Sequence, residues 1–190
     1  MNKQYIDGRE FRKREIDELQ PASAIFANCR FLNIDFSGKN LSGAEFEECT
    51  FSGCHFPLNP LHGTGFRNVI FDDCKISGID FSTCNPFLLA FGFKNCLLSY
   101  CGFYGLKLKK TEFKNCRLLE CSFTECDLKE AAFTDCDLEG TTFSHTCLVR
   151  ADLSTATGFL LRPADNDIRE TAFSVEGALS LLSEYRIRIK

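Results

Sequence analysis

A coiled stack of short β-strands, a solenoid, is the fold class this sequence predicts, and three observations predict it. From Phe93 to Leu153 every fifth residue is Phe or Leu: Phe93, Leu98, Phe103, Leu108, Phe113, Leu118, Phe123, Leu128, Phe133, Leu138, Phe143, Leu148 and Leu153. The two residue types alternate along this run until its last position. Two residues before each centre sits something small or apolar, as at Cys96, Cys101, Leu106, Thr111, Cys116 and Cys121. A period of five matches neither a helix nor a long flat strand. Repetition of this kind decides the fold before any local propensity does.

The unit has a simple physical solution. The Phe or Leu and the residue two before it point the same way on a short strand, and the residue between them points out. The next two residues must turn the chain, because an odd period would otherwise flip the following centre to the wrong face. Each unit is therefore one inward-facing side and one corner, and successive coils are stabilised mainly by stacking on their neighbours. The alternation of Phe with Leu repeats every ten residues, so a coil with an even number of sides stacks Phe on Phe and Leu on Leu.

Units such as Ala44-Glu-Phe-Glu-Glu, Cys126-Asp-Leu-Lys-Glu, Cys136-Asp-Leu-Glu-Gly and Ala151-Asp-Leu-Ser-Thr resemble the A(D/N)LXX motif of pentapeptide repeat proteins. The resemblance implies an all-β fold in which four units make a square turn, a right-handed quadrilateral β-helix. Recurrence of Cys at a spacing of twenty, as in Cys54/Cys74, Cys101/Cys121 and Cys96/Cys116/Cys136, agrees with four sides of five residues.

Taken in order, residues 1–25 read as an N-terminal cap or imperfect first coil. Ile6, Phe11 and Ile16 keep the spacing, but Gln4, Arg9 and Arg14 stand at the small position, where long polar groups cannot all face a narrow core. Residues 26–83 form a first repeat block without a slip; within it Phe56-Pro-Leu-Asn-Pro-Leu-His-Gly holds two prolines and is expected to lose ladder hydrogen bonds. A two-residue insertion falls in the seam 84–92, since Phe81 and Phe93 are twelve apart rather than ten. Its Phe87, Leu88, Leu89 and Phe91 read either as core filler or as an exposed contact. The second block runs over 93–157.

After Leu153 the frame dissolves, and 158–190 is expected to cap the solenoid and dimerise. The run from Asp167 to Phe173 reads as one last side. Ser174 is placed to N-cap a short helix with Glu176 in its first turn and an apolar stripe of Ala178, Leu179, Leu181 and Leu182. Tyr185-Arg-Ile-Arg-Ile-Lys then alternates as an edge strand. This tail resembles the C-termini of the Qnr, MfpA and AlbG/McbG-like branch of the family, whose C-terminal ends pair two chains into a rod. Leu179, Leu182, Tyr185, Ile187 and Ile189 are the expected homodimer contacts.

Composition narrows the function. With 44% hydrophobic residues over 190, a single domain with a real core is expected. Met1 to Gln20 is too charged for a signal peptide, and no apolar run approaches the ~18 residues of a membrane span, so a cytoplasmic protein is expected. Eleven of the twelve Cys, all but Cys147, occupy the small position and read as buried hydrophobes rather than a disulfide scaffold. The three His (His55, His62, His145) are scattered and CxxC is absent, so no metal or cofactor is expected. Neither a catalytic arrangement nor a phosphate loop is present, and no enzyme activity is expected.

Function must then come from the outer surface, and charge there is uneven. Residues 94–119 carry Lys94, Lys107, Lys109, Lys110, Lys114 and Arg117 against Glu112. Residues 120–139 carry Glu120, Glu125, Asp127, Glu130, Asp135, Asp137 and Glu139 against Lys129. The branch resemblance implies a partner in DNA gyrase or a related type II topoisomerase, protection from a quinolone or peptide toxin, and an acidic rod that mimics DNA without binding nucleic acid itself. Asp72, Asp73 and Asp80 join the acids listed above as candidate contacts. Glu120, Glu125, Glu130 and Asp135 share one corner position, so they form a belt around a coil rather than the continuous stripe of a DNA-like field. A second reading makes the belt an ion-pair ladder, with Lys107 over Asp127, Lys110 over Glu130, Arg117 over Asp137, and Glu130 then meeting Arg150. Its functional counterpart is a structural protein-interaction module unrelated to drug resistance.

Overall fold

Every strand pair is parallel among the residues described by the computed structural model, which are 3–16, 20–185 and 187–188. Phe26 faces Phe46, Phe46 faces Phe66, Leu98 faces Leu118 and Phe113 faces Phe133, so twenty residues complete a coil. Five residues to a side give four sides, and the molecule is a right-handed quadrilateral β-helix. Side one carries Phe26, Phe46, Phe66, Leu108, Leu128 and Leu148; side two carries Phe31, Phe51, Phe71, Phe93, Phe113 and Phe133. Side three carries Phe36, Phe56, Ile76, Leu98, Leu118 and Leu138; side four carries Leu41, Leu61, Phe81, Phe103, Phe123 and Phe143. All of these side chains are buried.

The alternation read in the sequence becomes two kinds of column. On side two, rings from Phe93 to Phe133 stack with centroids 5.2 and 4.7 Å apart, and on side four Phe81, Phe103, Phe123 and Phe143 stack at 4.8, 4.6 and 5.1 Å. Sides two and four face each other across the interior, where Phe113 and Phe123 meet edge to face at 5.9 Å. Leu columns on sides one and three fill the remaining width. Offset stacks and edge-to-face contacts are the favoured ring geometries and add about 0.5–1.5 kcal/mol per pair beyond burial.

The small position has a chemistry of its own. Cys49, Cys54, Cys74 and Cys136 donate their thiols to the carbonyls of Phe26, Phe31, Phe51 and Phe113, at 3.3 to 3.4 Å. Thr64, Thr141 and Thr146 donate hydroxyls to the equivalent carbonyls of Leu41, Leu118 and Phe123 at 2.8 to 3.0 Å. Cys and Thr thus interchange there because both are small and both can donate. Most corners place a residue in the left-handed region, and the corner amide offsets that strain by donating to the next coil, as from Glu120 to Glu139 at 3.0 Å and from Glu125 to Ser144 at 2.9 Å.

Four departures shape the rod. At the N-terminus Gln4–Asp7 and Glu10–Phe11 pair in register with the next coil, but the third side is a helical turn, Lys13–Ile16. Gln4 and Arg9 are exposed while Ile6 and Phe11 are buried; the side chains of Arg14 and Ile16 lie outside the description. In the proline-bearing coil His55–Pro57 still pairs in register with Lys75–Ser77. There the Asn59 amide donates to the carbonyls of Phe36 and Lys39, at 2.7 and 2.8 Å, where a proline cannot. In the seam, the register shifts between Leu89 and Phe91, and the coil lengthens so that Phe71 faces Phe93. Both readings of its apolar residues hold in part: Phe91 is buried, Leu88 and Leu89 are half-buried, and Phe87 is 93% exposed.

The fourth departure corrects two expectations. The frame does not dissolve after Leu153: Thr157 pairs with Asp137, Leu161 with Phe143 and Asp167 with Cys147, which builds a further coil. Asp167 to Phe173 makes two sides, with Ile168 and Phe173 both packed on the core. The pattern was hidden because Leu161 lies eighteen residues after Phe143 rather than twenty, and Pro163–Asp165 restores the count at the next corner. The shortcut needs Gly158, whose φ is +76° and whose missing Cβ would lie 3.0 Å from the Glu139 nitrogen. Beyond it the helix Val175–Ser180 is N-capped as expected, with Gly177 donating to Ser174 Oγ at 2.9 Å. The expected strand from Tyr185 is not seen among the described residues: Ser183–Tyr185 is a 3-10 turn, and Ile187 and Arg188 lie outside regular structure.

Candidate functional site

The acidic residues singled out in the sequence sit on all four sides of the rod. Glu120, Glu125, Glu130 and Asp135 occupy four successive corners of one coil with φ of 51°, 55°, 60° and 52°, so the belt is real as geometry. Asp127, Asp137 and Glu139 flank centres of that coil on sides one and three. Asp72, Asp73 and Asp80 lie two or more coils nearer the N-terminus and are not gathered with the belt. Asp72 accepts from the Asn95 amide at 2.9 Å, and Asp80 accepts from the Ser82 nitrogen and hydroxyl at 3.0 and 2.6 Å.

Cations from the preceding coil hold part of the belt. Arg117 reaches Asp137 at 2.9 Å and Glu139 at 3.2 Å, and Lys110 reaches Glu130 at 3.5 Å. Lys107 stands in register with Asp127, as expected, but the ammonium that pairs with Asp127 is that of Lys109, at 3.2 Å. Lys107 and Lys109 flank the buried Leu108, so both point out, and the second is better placed. Arg150 pairs with Glu170 at 2.8 Å rather than with Glu130, and this pairing lowers the Glu170 carboxyl and raises the Arg150 guanidinium from their ordinary values. Glu125 accepts from the Tyr104 hydroxyl at 3.0 Å, which raises the Tyr104 pKa.

At the C-terminal end Leu179, Leu182, Tyr185 and Ile187 are all exposed, and Val175 joins them at 78% exposure. Ile189 lies outside the described residues. The helix meets the core at Gly177, which lies against the Phe159 ring, and at Leu181 just beyond its end. Among the exposed apolar side chains that sequence reasoning missed are Leu58, Tyr100 and Tyr104. Leu58 and Tyr100 hold left-handed corners, a position the five-residue frame marks as outward.

Most of the buried thiols are ill suited to chemistry. Burial pushes Cys49 and Cys84 up to about 12 and Cys126 up to about 11, and contact with neighbouring thiols and burial together raise Cys74, Cys121 and Cys136. At these six positions a thiol, not a thiolate, is present at neutral pH, and only a thiolate is a good nucleophile or metal ligand. Hydrogen bonds with the neighbouring thiols Cys74, Cys121 and Cys136 instead lower Cys54, Cys101 and Cys116. Among the described residues no group of three or more His, Cys, Asp or Glu is placed to hold a metal ion, and all twelve Cys are unpaired. No helix among them is long and apolar enough to cross a membrane.

Comparison with known proteins bears on the fold. No curated protein sequence matches the chain. A trypsin-treated variant of QnrB1, a plasmid-mediated fluoroquinolone resistance protein, is 24% identical, with 99% of this chain and 98% of that one covered and a TM-score of 0.41. Full-length QnrB1 is 21% identical over 97% and 98% of the two chains, with a TM-score of 0.39. HetL, a pentapeptide repeat protein involved in heterocyst differentiation regulation in the cyanobacterium Nostoc sp. strain PCC 7120, is 12% identical over 88% and 84%, with a TM-score of 0.26. The family model for the pentapeptide repeat region matches residues 24–92 and 88–157. With its square coils, its five-residue sides and that match over most of its length, the chain belongs to the pentapeptide repeat family.

Proposed function

We propose that this chain is a non-enzymatic protein that binds a type II topoisomerase, DNA gyrase above all, and protects it from a quinolone or a peptide toxin by partial mimicry of DNA. The observation that carries the reading is the acidic belt, in which Glu120, Glu125, Glu130 and Asp135 project from four successive corners of one coil. Side chains fill the interior, so the rod has only its outer shape and charge to act with. A protein surface built to hold duplex DNA is basic and would attract that belt, with Asp72, Asp73 and Asp80 further along the rod. The target is the enzyme's surface, so no direct binding of nucleic acid is part of the proposal. The apolar end formed by Val175, Leu179, Leu182, Tyr185 and Ile187 supports a homodimer, and twelve unpaired thiols suit a reducing cytoplasm.

A second reading has its own observation. Asp127, Glu130, Asp137 and Glu139 are already held by Lys109, Lys110 and Arg117, which suits a structural interaction module whose charges serve the stack. A gyrase cleavage assay separates the two. The purified protein should reduce quinolone- or toxin-stabilised cleavage at low molar excess, and Glu120→Lys with Asp135→Lys should weaken that effect at least tenfold. A wild-type protein that neither binds gyrase nor changes cleavage with any gyrase poison would leave the interaction module standing.

A further inference from the structure

The seam leaves a feature that the partner reading does not use. Along the edge between sides one and two, each regular coil closes with a left-handed corner residue: Asn28, Glu48, Asn68, then Lys110, Glu130 and Arg150. The inserted coil has no such residue between Leu89 and Phe93, where the register shifts instead. Its chain runs straight across the edge as the strand Leu89–Lys94 and leaves a concave cleft of about 530 Å³. Ile70, Ala90 and Gly92 line its floor, and Lys94, Lys107, Lys109, Lys110 and Lys114 line its walls.

The charges around the cleft are not arranged for stability. Lys94 and Lys114 are direct in-register neighbours on side two, and like charges so placed on adjacent strands repel. Asp72, on the other side of Lys94, is in register with it but accepts from Asn95. Among the described residues Lys94, Lys107 and Lys114 make no ion pair, while Lys109 and Lys110 are held by Asp127 and Glu130. Two acids also line the cleft: Glu112, between the lysine walls, and Glu48, which accepts from Asn68 at 2.6 Å. Three ammonium groups that make no ion pair therefore line one concavity from two sides of the rod, against the two carboxylates of Glu48 and Glu112.

We propose that this cleft binds a linear polyphosphate group, carried by a nucleoside polyphosphate or as inorganic polyphosphate. Its volume lies within the range of small-molecule sites, about 300–1,000 Å³. Lysine binds phosphate as a point charge, whereas the planar bidentate recognition of carboxylates favours arginine, and no guanidinium lines the cleft. Several negative charges on one short ligand answer several separated ammonium groups, and the half-exposed Ile70 beside Gly92 offers an apolar surface for an attached base. The site adjoins the belt at 120–139 through Lys109 and Lys110, but tripolyphosphate binding is tested without the topoisomerase and so stands or falls independently of that reading.

Titration calorimetry on the full chain, with sodium tripolyphosphate, ATP and a single-stranded oligonucleotide, tests the proposal. Tripolyphosphate should bind with a salt-dependent affinity and raise the melting temperature. Tighter binding of ATP would assign the site to nucleotides, and equal or weaker binding to the inorganic chain. Lys94→Gln with Lys114→Gln should weaken binding at least tenfold while raising the melting temperature of the free protein, because it removes a repulsion. Gly92→Glu should block binding by filling the floor, and Lys75→Gln, on side three, should leave it unchanged. Failure of tripolyphosphate and ATP to bind, binding indifferent to the Lys94/Lys114 pair, or tighter binding of the oligonucleotide than of either would overturn the proposal.

Discussion

Each five-residue unit divides its positions by what they touch, and single substitutions should reveal that division. Phe113 is fully buried between the rings of Phe93 and Phe133. Phe113→Ala should cost about 3–5 kcal/mol in urea denaturation, as for other buried aromatics that leave a cavity. Glu125→Ala, at an exposed corner, should stay within about 0.5 kcal/mol; similar costs at the two positions would mean that inside and outside are wrongly assigned. Cysteine is the subtler case. Most thiols at the small position donate to a carbonyl in the coil before, as Cys49, Cys54, Cys74 and Cys136 do, the role that Thr64 and Thr141 fill elsewhere. Thiol titration should count twelve free groups after denaturation and few in the native protein. Several disulfides in the native chain would contradict the packing, since parallel in-register Cβ vectors do not converge to the roughly 3.8 Å a disulfide needs.

Most sides are strands of two to four residues with no stability alone, so the informative elements are those where the coil departs from twenty residues. Gly158 allows the eighteen-residue step from Phe143 to Leu161, and it combines a positive φ with close approach to the Glu139 backbone. Gly158→Ala should therefore destabilise by about 1–3 kcal/mol, read as a lower urea midpoint with unchanged slope. No change would show that the corner relaxes at no cost. The helix Val175–Ser180 is the other such element. It has six residues, too few to be stable alone, and turns Val175 and Leu179 to solvent. A chain ending at Phe173 keeps the last coil and should be monomeric by light scattering where the full chain is a dimer. A truncated chain that still dimerised would move the interface to the exposed Phe87 in the seam.

As a whole the molecule is a rod, with coils about 4.8 Å apart, in which two consecutive stretches of chain differ in charge. The basic cleft of the seam coil and the acidic belt lie on neighbouring parts of one surface. Residues 94–119 and 120–139 are oppositely charged because consecutive coils pair through Lys109, Lys110 and Arg117. What is left over on each side, Lys94, Lys107 and Lys114 in one coil pair and Glu120 and Asp135 in the next, is free to meet partners. Binding of gyrase through the belt should weaken as salt rises, because exposed charges are screened beyond about 10 Å at 0.1 M. A complex whose affinity is flat between 50 and 300 mM salt, roughly that screening range, would place the contact on apolar residues such as Leu58, Tyr100 and Tyr104.

Repetition made most of this legible without coordinates. Thirteen positions at a fixed spacing identify the inward faces, and in an even-sided coil the Phe/Leu alternation makes like stack on like, as Phe113 on Phe133 and Leu98 on Leu118. Corner charges such as Glu120 and Glu130 follow from the same frame, because a residue two after a centre can only point out. Tertiary structure decided the rest, wherever local spacing and neighbouring coils disagreed. The last coil was invisible because its eighteen-residue step is compensated by Pro163–Asp165, a balance that exists only when Leu161 lies against Phe143. Which lysine holds Asp127 depends on side-chain reach along one side of the rod, where Lys109 reaches it diagonally past the in-register Lys107. The cleft needed both the insertion and the lysines; each stood in the sequence, but only the broken register at Leu89 brings them to one concavity. A repeat dictates what every regular unit does, and its irregular units take their shape from the coils on either side.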